Sequence, residues 1–291
     1  MDFAQELSRA QTKIEEYLAG CFSGEPSHAV LYEAMRYSLL AGGKRIRPVL
    51  VLEFCRALGA EEDKALPLAA AIEMIHTYSL IHDDLPSMDN DDLRRGRPTN
   101  HKVYGECMAI LAGDALQSAA FSAVLSADLP AETRAEAALV LARAAGEDGM
   151  VAGQVLDMEG EQRSLSLSEI AHMNALKTGC LLEAACLMGV IAGGGSEERK
   201  QAAKAYAAAI GLAFQVRDDM LDATSTSQVM GKTVGKDEVQ NKSTFVSLLG
   251  LEACEKIVAE QTELAKSALR QTGMETEFFC ALADYLAGRS Y

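Results

Sequence analysis

Tryptophan is absent from the 291 residues, aromatic side chains make up only 5%, and there are six prolines. Runs of Val, Ile and Thr with the period-2 alternation of strands are scarce as well, which argues against a β-sandwich or barrel. Uninterrupted apolar stretches are short: the nearest approach to a membrane span, Cys180 to Gly195, is broken by Glu183, where about 18 apolar residues would be needed. The opening residues, Met1-Asp2-Phe3-Ala4-Gln5-Glu6, place no basic segment before an apolar one, so no export signal is expected. The seven cysteines are scattered, odd in number and never in a C-x-x-C pair. They read as small core residues in a reducing cytoplasm, not as disulfides or a zinc site. Positive charge is also in deficit, 27 Lys and Arg against 42 Asp and Glu for a net charge of −15. That balance speaks against nucleic acid and anionic membrane as general partners, and no stable membrane insertion is expected.

What is present is helix. Alanine and leucine dominate, and 49% apolar with 24% charged residues is a globular composition. Leu68, Ile72 and Ile75 follow the i, i+4, i+7 rule, as do Ala207, Gly211 and Phe214. Ser166-x-x-Glu169 reads as a capping box, Gly193-Gly194-Gly195 as a stop before Ser196, and Gly42-Gly43 as the close of an earlier segment. These signals predict helices over 2–20, 26–41, 46–58, 63–85, 106–127, 131–145, 148–160, 167–192, 197–224, 244–272 and 275–288. No Pro- or Ser-rich linker divides them, so one all-α domain over 1–291 is expected. An Asp-Asp pair ends an apolar helix twice, at Asp83-Asp84 and at Asp218-Asp219.

The first acidic cluster holds Asp83, Asp84, Asp89, Asp91 and Asp92 within ten residues. Like charges that close repel one another, and a bound cation would relieve them. Pro86 ends or bends the helix and lets Asp89 return towards Asp83. A calcium EF-hand does not fit, because Arg94 stands where its loop requires glycine and Asn100 where it requires glutamate. In the second cluster Gly211, Gln215, Asp218 and Asp222 share one helical stripe beside apolar Phe214, Val216, Met220 and Leu221. Carboxylates in such surroundings need a metal or a base. Magnesium suits hard oxygen donors best, and it binds one or two carboxylates together with substrate phosphates.

An anion is therefore implied, and the chain supplies clamps for it. Lys44, Arg45 and Arg47 follow two glycines and precede a helix start, and Arg94-Arg95 follow the first acidic cluster. Lys177 sits in a long apolar helix without an i,i+4 carboxylate, so a buried anion is its expected partner. Gln154 and Asp157 form a polar i,i+3 pair that could add a further wall.

Gly43-Lys44-Arg45-Ile46-Arg47-Pro48, Asp83-Asp84-x-x-x-x-Asp89 with Arg94-Arg95, Lys177-Thr178, Phe214-Gln215 with Asp218-Asp219-x-x-Asp222, and Gly231-Lys232 together resemble the trans-isoprenyl diphosphate synthases. The likeness holds in order and across nearly the whole chain, and is greatest to the bacterial farnesyl diphosphate synthase branch. It implies a bundle of about ten helices around a deep central cavity, in a cytoplasmic homodimer, with about three Mg²⁺ ions held by Asp83, Asp84, Asp89, Asp157, Asp218 and Asp222. It implies Asp83, Asp84, Asp89, Lys177, Thr178, Gln215, Asp218 and Asp219 as catalytic residues. Arg94, Lys177, Thr178, Gln215, Lys232 and Lys242 would meet the allylic diphosphate side, and Lys44, Arg47, His76 and Arg95 the diphosphate of isopentenyl diphosphate. The allylic partners would be dimethylallyl and geranyl diphosphate. Tyr78 and Ser79, five and four residues before Asp83, would set product length at the farnesyl stage, with geranylgeranyl or geranyl diphosphate as the alternatives.

Two departures from the resemblance stand out. Phe245-Val246 follow Lys242-Ser243-Thr244 where the bacterial branch has Tyr-Pro, and the basic C-terminal tail of eukaryotic members is reduced to Arg289. A terpene cyclase or squalene-type synthase would not need the Lys44 to Arg47 site, and a silent regulatory subunit would have lost one aspartate cluster. This chain keeps all three features.

Overall fold

The computed structural model describes residues 1–224, 243–270 and 272–289, and nearly all of their regular structure is helical. In chain order the helices are α1 (Phe3–Gly20), α2 (Ala29–Leu39), α3 (Ile46–Ala57), α4 (Glu62–Asp83), α5 (Asn100–Tyr104), α6 (Glu106–Leu125), α7 (Ala131–Ala145) and α8 (Met150–Gly160), followed by α9 (Leu167–Asn174), α10 (Cys180–Ala192), α11 (Glu197–Thr224), α12 (Phe245–Leu249), α13 (Leu251–Ala268) and α14 (Glu277–Gly288). The Ser166 capping box forms as its sequence indicates, with Glu169 returning to the Ser166 backbone. The helix expected over 244–272 is split in two, because Gly250 takes a left-handed φ of 79° that an α-helix cannot carry. The helix expected over 167–192 does run through, but it loosens into a π-helical turn at Ala175–Gly179.

Two helices form the centre. In α4 the buried residues fall all round the helix, because α1, α2, α3, α6 and α10 pack on its different sides. In α10 Leu181, Ala185, Met188, Ile191 and their neighbours are buried against α3, α4, α7 and α11. A smaller core of Ile170, Met173, Val216, Met220, Phe245 and Val258 joins α9, α11, α12 and α13 beneath the second aspartate cluster. Phe54, Tyr206, Phe278 and Phe279 form a ring cluster, with 4.2 Å between the centroids of Phe54 and Phe279. The Tyr206 hydroxyl donates to the Phe279 carbonyl at 2.9 Å. Such aromatic pairs are worth about 0.5–1.5 kcal/mol beyond the area they bury, and here they fix α14 against α3 and α11.

α6 turns Ala109, Ala112, Gly113, Leu116 and Ala120 inward, while Ile110, Leu111 and Leu125 on its outer side remain 44–51% exposed. By length and composition α6 and the stretch Leu167–Ala192 could each cross a membrane. Over half of the second window is buried inside the protein, against a third of the first.

Candidate active site

The first acidic cluster is built at the end of α4. Beyond Asp83 the chain bends through Pro86, and the Asp89 amide donates to the Asp83 carbonyl at 2.8 Å, the return that the proline indicated. Burial pushes the Asp83 and Asp84 carboxyls up to about 6, with Lys177 opposing the rise at Asp83 and the Arg94 bond opposing it at Asp84. Arg94 Nε donates to Asp84 Oδ1 at 3.0 Å, and its Nη2 lies 3.3 Å from Asp91.

Sequence patterning missed the small hairpin that carries these arginines. Strands β1 (Leu93–Arg94) and β2 (Arg97–Pro98) pair antiparallel around a two-residue turn at Arg95-Gly96, with φ of 54° and 73°. Two consecutive left-handed residues make the primed turn that matches strand twist. The turn sends Arg95 away from Arg94, against the loop before α3, where its Nη1 donates to the Gly42 carbonyl. Gly43 takes a φ of 123°, which L side chains rarely adopt, and a Cβ there would also come 2.8 Å from the Arg95 guanidinium.

The basic loop divides its cations. Arg45, left-handed at φ 50°, is buried and turned into the protein. Its Nε donates to Glu15 at 2.6 Å, its Nη1 to Glu73 and its Nη2 to the Leu39 carbonyl at 2.7 Å. Its charge is thus used to hold the loop. Lys44 and Arg47 border a cavity of about 270 Å³ with Arg95, His76 and Phe214. Burial lowers the pKa of Lys44, and repulsion from Arg289 adds to the effect. Arg47 Nε is buried without a hydrogen-bond partner, which is costly unless an anion arrives. Glu73, bound to Arg45, is the carboxylate that offsets the charges of Arg47 and Arg95, and a lone carboxylate in the apolar run of α4 was its sequence signal.

Arg47 and His76 also line a second cavity, of about 680 Å³, so they form the partition between the two. His76 lies deep in the fold yet keeps surface inside both cavities; burial, followed by Arg47, Arg95, Arg45 and Arg94, holds its pKa well below the ordinary imidazole value. The larger cavity runs from Asp83, Ser79 and Tyr78 on α4 to Val155 and Met158 on α8. Lys177 and Thr178 on the π turn border it, and so does Gln154, whose Nε2 is buried without a partner.

Within the protein Lys177 Nζ meets a carboxylate that no i,i+4 spacing indicates, Asp157 of α8, at 2.5 Å. The cause is local packing: a Cβ on Gly153 would fall 2.2 Å from the Lys177 amide nitrogen, so α8 approaches the π turn at its glycine and brings Asp157, one turn on, to Lys177. π turns recur at functional sites because they re-aim a side chain within a helix.

On α11 the second cluster divides similarly. Asp219 accepts from Gln215 Nε2 at 3.1 Å and from the Phe245 amide at 2.9 Å, which ties the start of α12 to α11. Asp218 instead meets Arg289 Nη2 at 2.6 Å, while Asp222 is half-buried one turn further. Arg289 stacks 3.9 Å over the Phe214 ring and donates to the Phe214 carbonyl at 3.0 Å. Arg289, just beyond α14, thus delivers one cation to the second aspartate cluster. Lys232 and Lys242 lie outside the described residues.

Among the described residues no three carboxylate, histidine or cysteine side chains converge tightly enough to hold an ion alone. The donors are nevertheless hard oxygens, and protein cations rest on several of them, Arg94 on Asp84 and Arg289 on Asp218. That set of hard oxygens fits Mg²⁺, which takes one or two protein carboxylates together with substrate phosphates.

A sequence profile of the Polyprenyl synthetase family matches residues 28–282. The chain is 46% identical over 290 residues to the farnesyl diphosphate synthase of Geobacillus stearothermophilus, covering 99% of this chain and 98% of that one. It is 47% identical over 264 residues to the chloroplastic geranylgeranyl pyrophosphate synthase of Capsicum annuum, covering 89% and 72%. In structure it matches an FPP/GFPP synthase of Zymomonas mobilis with a TM-score of 0.88 and 36% identity over 99% of both chains. With its aspartate clusters, basic loop and paired cavities in that setting, the chain belongs to the polyprenyl synthetase family of prenyltransferases.

Proposed function

We propose that this enzyme elongates dimethylallyl and then geranyl diphosphate with isopentenyl diphosphate, releasing (2E,6E)-farnesyl diphosphate in the cytoplasm. The observation that carries the reading is the pair of cavities separated by Arg47 and His76. The smaller offers Lys44, Arg47 and Arg95 to an anion, which suits the diphosphate of isopentenyl diphosphate. The larger has Asp83 and Lys177 on its border and an apolar wall of Val155, Met158 and Leu181, which suits an allylic diphosphate with its tail.

Asp83, Asp84, Asp89, Asp218 and Asp222 would hold Mg²⁺, with Asp157 beside them through Lys177. When bound, the metal stabilises negative charge on the departing diphosphate. Arg94 and Lys177 assist from fixed positions, Arg94 braced by Asp84 and Lys177 by Asp157. Asp219 positions Gln215 and α12. The carbonyl of Thr178 and the amide of Gln215 would steer the developing allylic cation, and the apolar wall would keep water from it. His76, neutral in the partition, presents a dipole between the substrates without adding charge.

Two chains would assemble through the outer face of α6, where Ile110, Leu111 and Leu125 are left exposed to water. Because identity to farnesyl and to geranylgeranyl synthases is nearly equal, product length has to be read from the cavity, where buried Tyr78 stands beside the tail. Incubating the protein with isopentenyl and dimethylallyl diphosphates and Mg²⁺, then identifying products by mass spectrometry, tests the whole reading. Farnesyl diphosphate is expected. Geranylgeranyl diphosphate would favour the second product assignment, and no condensation would overturn the function.

A further inference from the structure

Tyr78 has a companion in the cavity wall. His82 lies four residues further along α4, on the same side of the helix, and both residues line the larger cavity. Their rings stand edge to face with 5.7 Å between centroids. Two residues of α6, also four apart, back them. A Cβ on Gly113 would lie 2.1 Å from His82 Nε2, so the imidazole rests directly on the α6 backbone. Gln117 flanks the Tyr78 hydroxyl without forming a well-shaped hydrogen bond to it. His82 Nε2 is 3.1 Å from the Ile110 carbonyl. A carbonyl only accepts, so this nitrogen donates, and the bond fixes the ring's orientation.

Part of the remaining wall is softer. Met88, Met150 and Met158 line the same cavity, and unbranched thioether side chains yield readily to a ligand. A ring held by a hydrogen bond in front of a glycine cannot retreat from a growing chain.

We propose that His82, seated on Gly113, is a second residue determining product length, closing with Tyr78 the α6 side of the cavity that takes the allylic tail. The inference rests on the chain-elongation reading above and adds to it. The ring acts by its bulk and fixed placement. Removing it opens the wall between α4 and the α6 backbone. Adding a methyl at Gly113 drives the ring off α6 and into the cavity.

The test compares products made from isopentenyl and dimethylallyl diphosphates by wild type, His82→Ala, His82→Phe and Gly113→Ala at matched conversion. His82→Ala should shift the main product to twenty carbons or longer. His82→Phe should retain the wild-type length, because bulk is kept while the imidazole is lost. Gly113→Ala should move product towards ten carbons, and it leaves every aspartate in place should His82→Ala turn over too slowly beside Asp83. Unchanged product length in both His82→Ala and Gly113→Ala, with condensation intact, would overturn the proposal. Failure of the wild type to condense these substrates would instead remove the reading beneath it.

Discussion

Arg94 and Arg95 are neighbours in sequence and hold opposite partners: Arg94 is fixed to Asp84 by its Nε at 3.0 Å, whereas Arg95 Nη1 donates to the Gly42 carbonyl beside the basic loop. The left-handed turn at Arg95-Gly96 is what separates them. Arg95→Ala should raise the KM for isopentenyl diphosphate several-fold with little change for the allylic substrate. Lys177→Ala should do the reverse and lower kcat as well. Steady-state kinetics with each substrate varied would settle the assignment, and a shared effect on one substrate would merge the two sites.

Loss of a metal ligand should be severe without unfolding the protein. Asp83→Ala or Asp218→Ala should reduce turnover by about two decades or more, the scale on which charge-stabilising groups act, while far-UV circular dichroism stays helical. Carboxylates must shed their protons to bind metal. With Asp83 and Asp84 raised to about 6, the Mg²⁺ concentration needed for half-maximal rate should climb as pH falls through that value. Full activity in EDTA would sink the metal assignment.

Gly153 is where α8 meets the π turn. Gly153→Ala places a Cβ 2.2 Å from the Lys177 amide nitrogen, against π-turn backbone that cannot swing aside. The helix must back away, at about 1–3 kcal/mol as for other overpacked contacts, and the 2.5 Å Lys177–Asp157 pair should lengthen. Thermal denaturation and kcat should fall together; an unchanged Tm would mean that the contact relaxes freely.

His76 gives a pH dependence of definite sign. Its folded pKa is depressed, so near and below the ordinary imidazole value of 6.5 the unfolded chain binds more protons than the folded one. Its contribution to stability is therefore complete above that value and declines as pH drops beneath it. The Tm of wild type should fall relative to that of His76→Asn between about pH 7.5 and 5.5. Parallel curves for the two proteins would show that His76 is not held neutral.

Tyr78 stands five residues before Asp83, about 7.5 Å along the helix. Removing its ring should deepen the larger cavity, so Tyr78→Ala should release products of twenty carbons and more. A product distribution still centred on farnesyl diphosphate would put the limit elsewhere in the wall.

Much of the site can be read in sequence, because its signals are local. Asp83, Asp84 and Asp89 fall within one helix end and its return, and Gln215, Asp218 and Asp222 recur at helical spacing, so neighbouring residues alone place them on common faces. The Ser166 cap forms within four residues and appears as written. Strands of two residues, by contrast, are too short to show any period, and the β1–β2 hairpin left no such signal. A π turn has no recognised residue signature, so Ala175–Gly179 looked like ordinary helix.

By itself, then, the sequence determined an all-helical chain with two aspartate clusters and a basic loop, since composition, capping and i,i+4 spacing act over a few residues. Only the tertiary structure decided which charge meets which. Asp157 reaches Lys177 across 20 residues of chain, Arg45 reaches Glu73 across 28, and Arg289 comes from the last helix to Asp218. Those choices depend on where whole helices come to rest, on a glycine that permits close approach at Gly153 and on the ring cluster that anchors α14. Placements of that kind follow from the packing of the entire core, and no short stretch of residues encodes them.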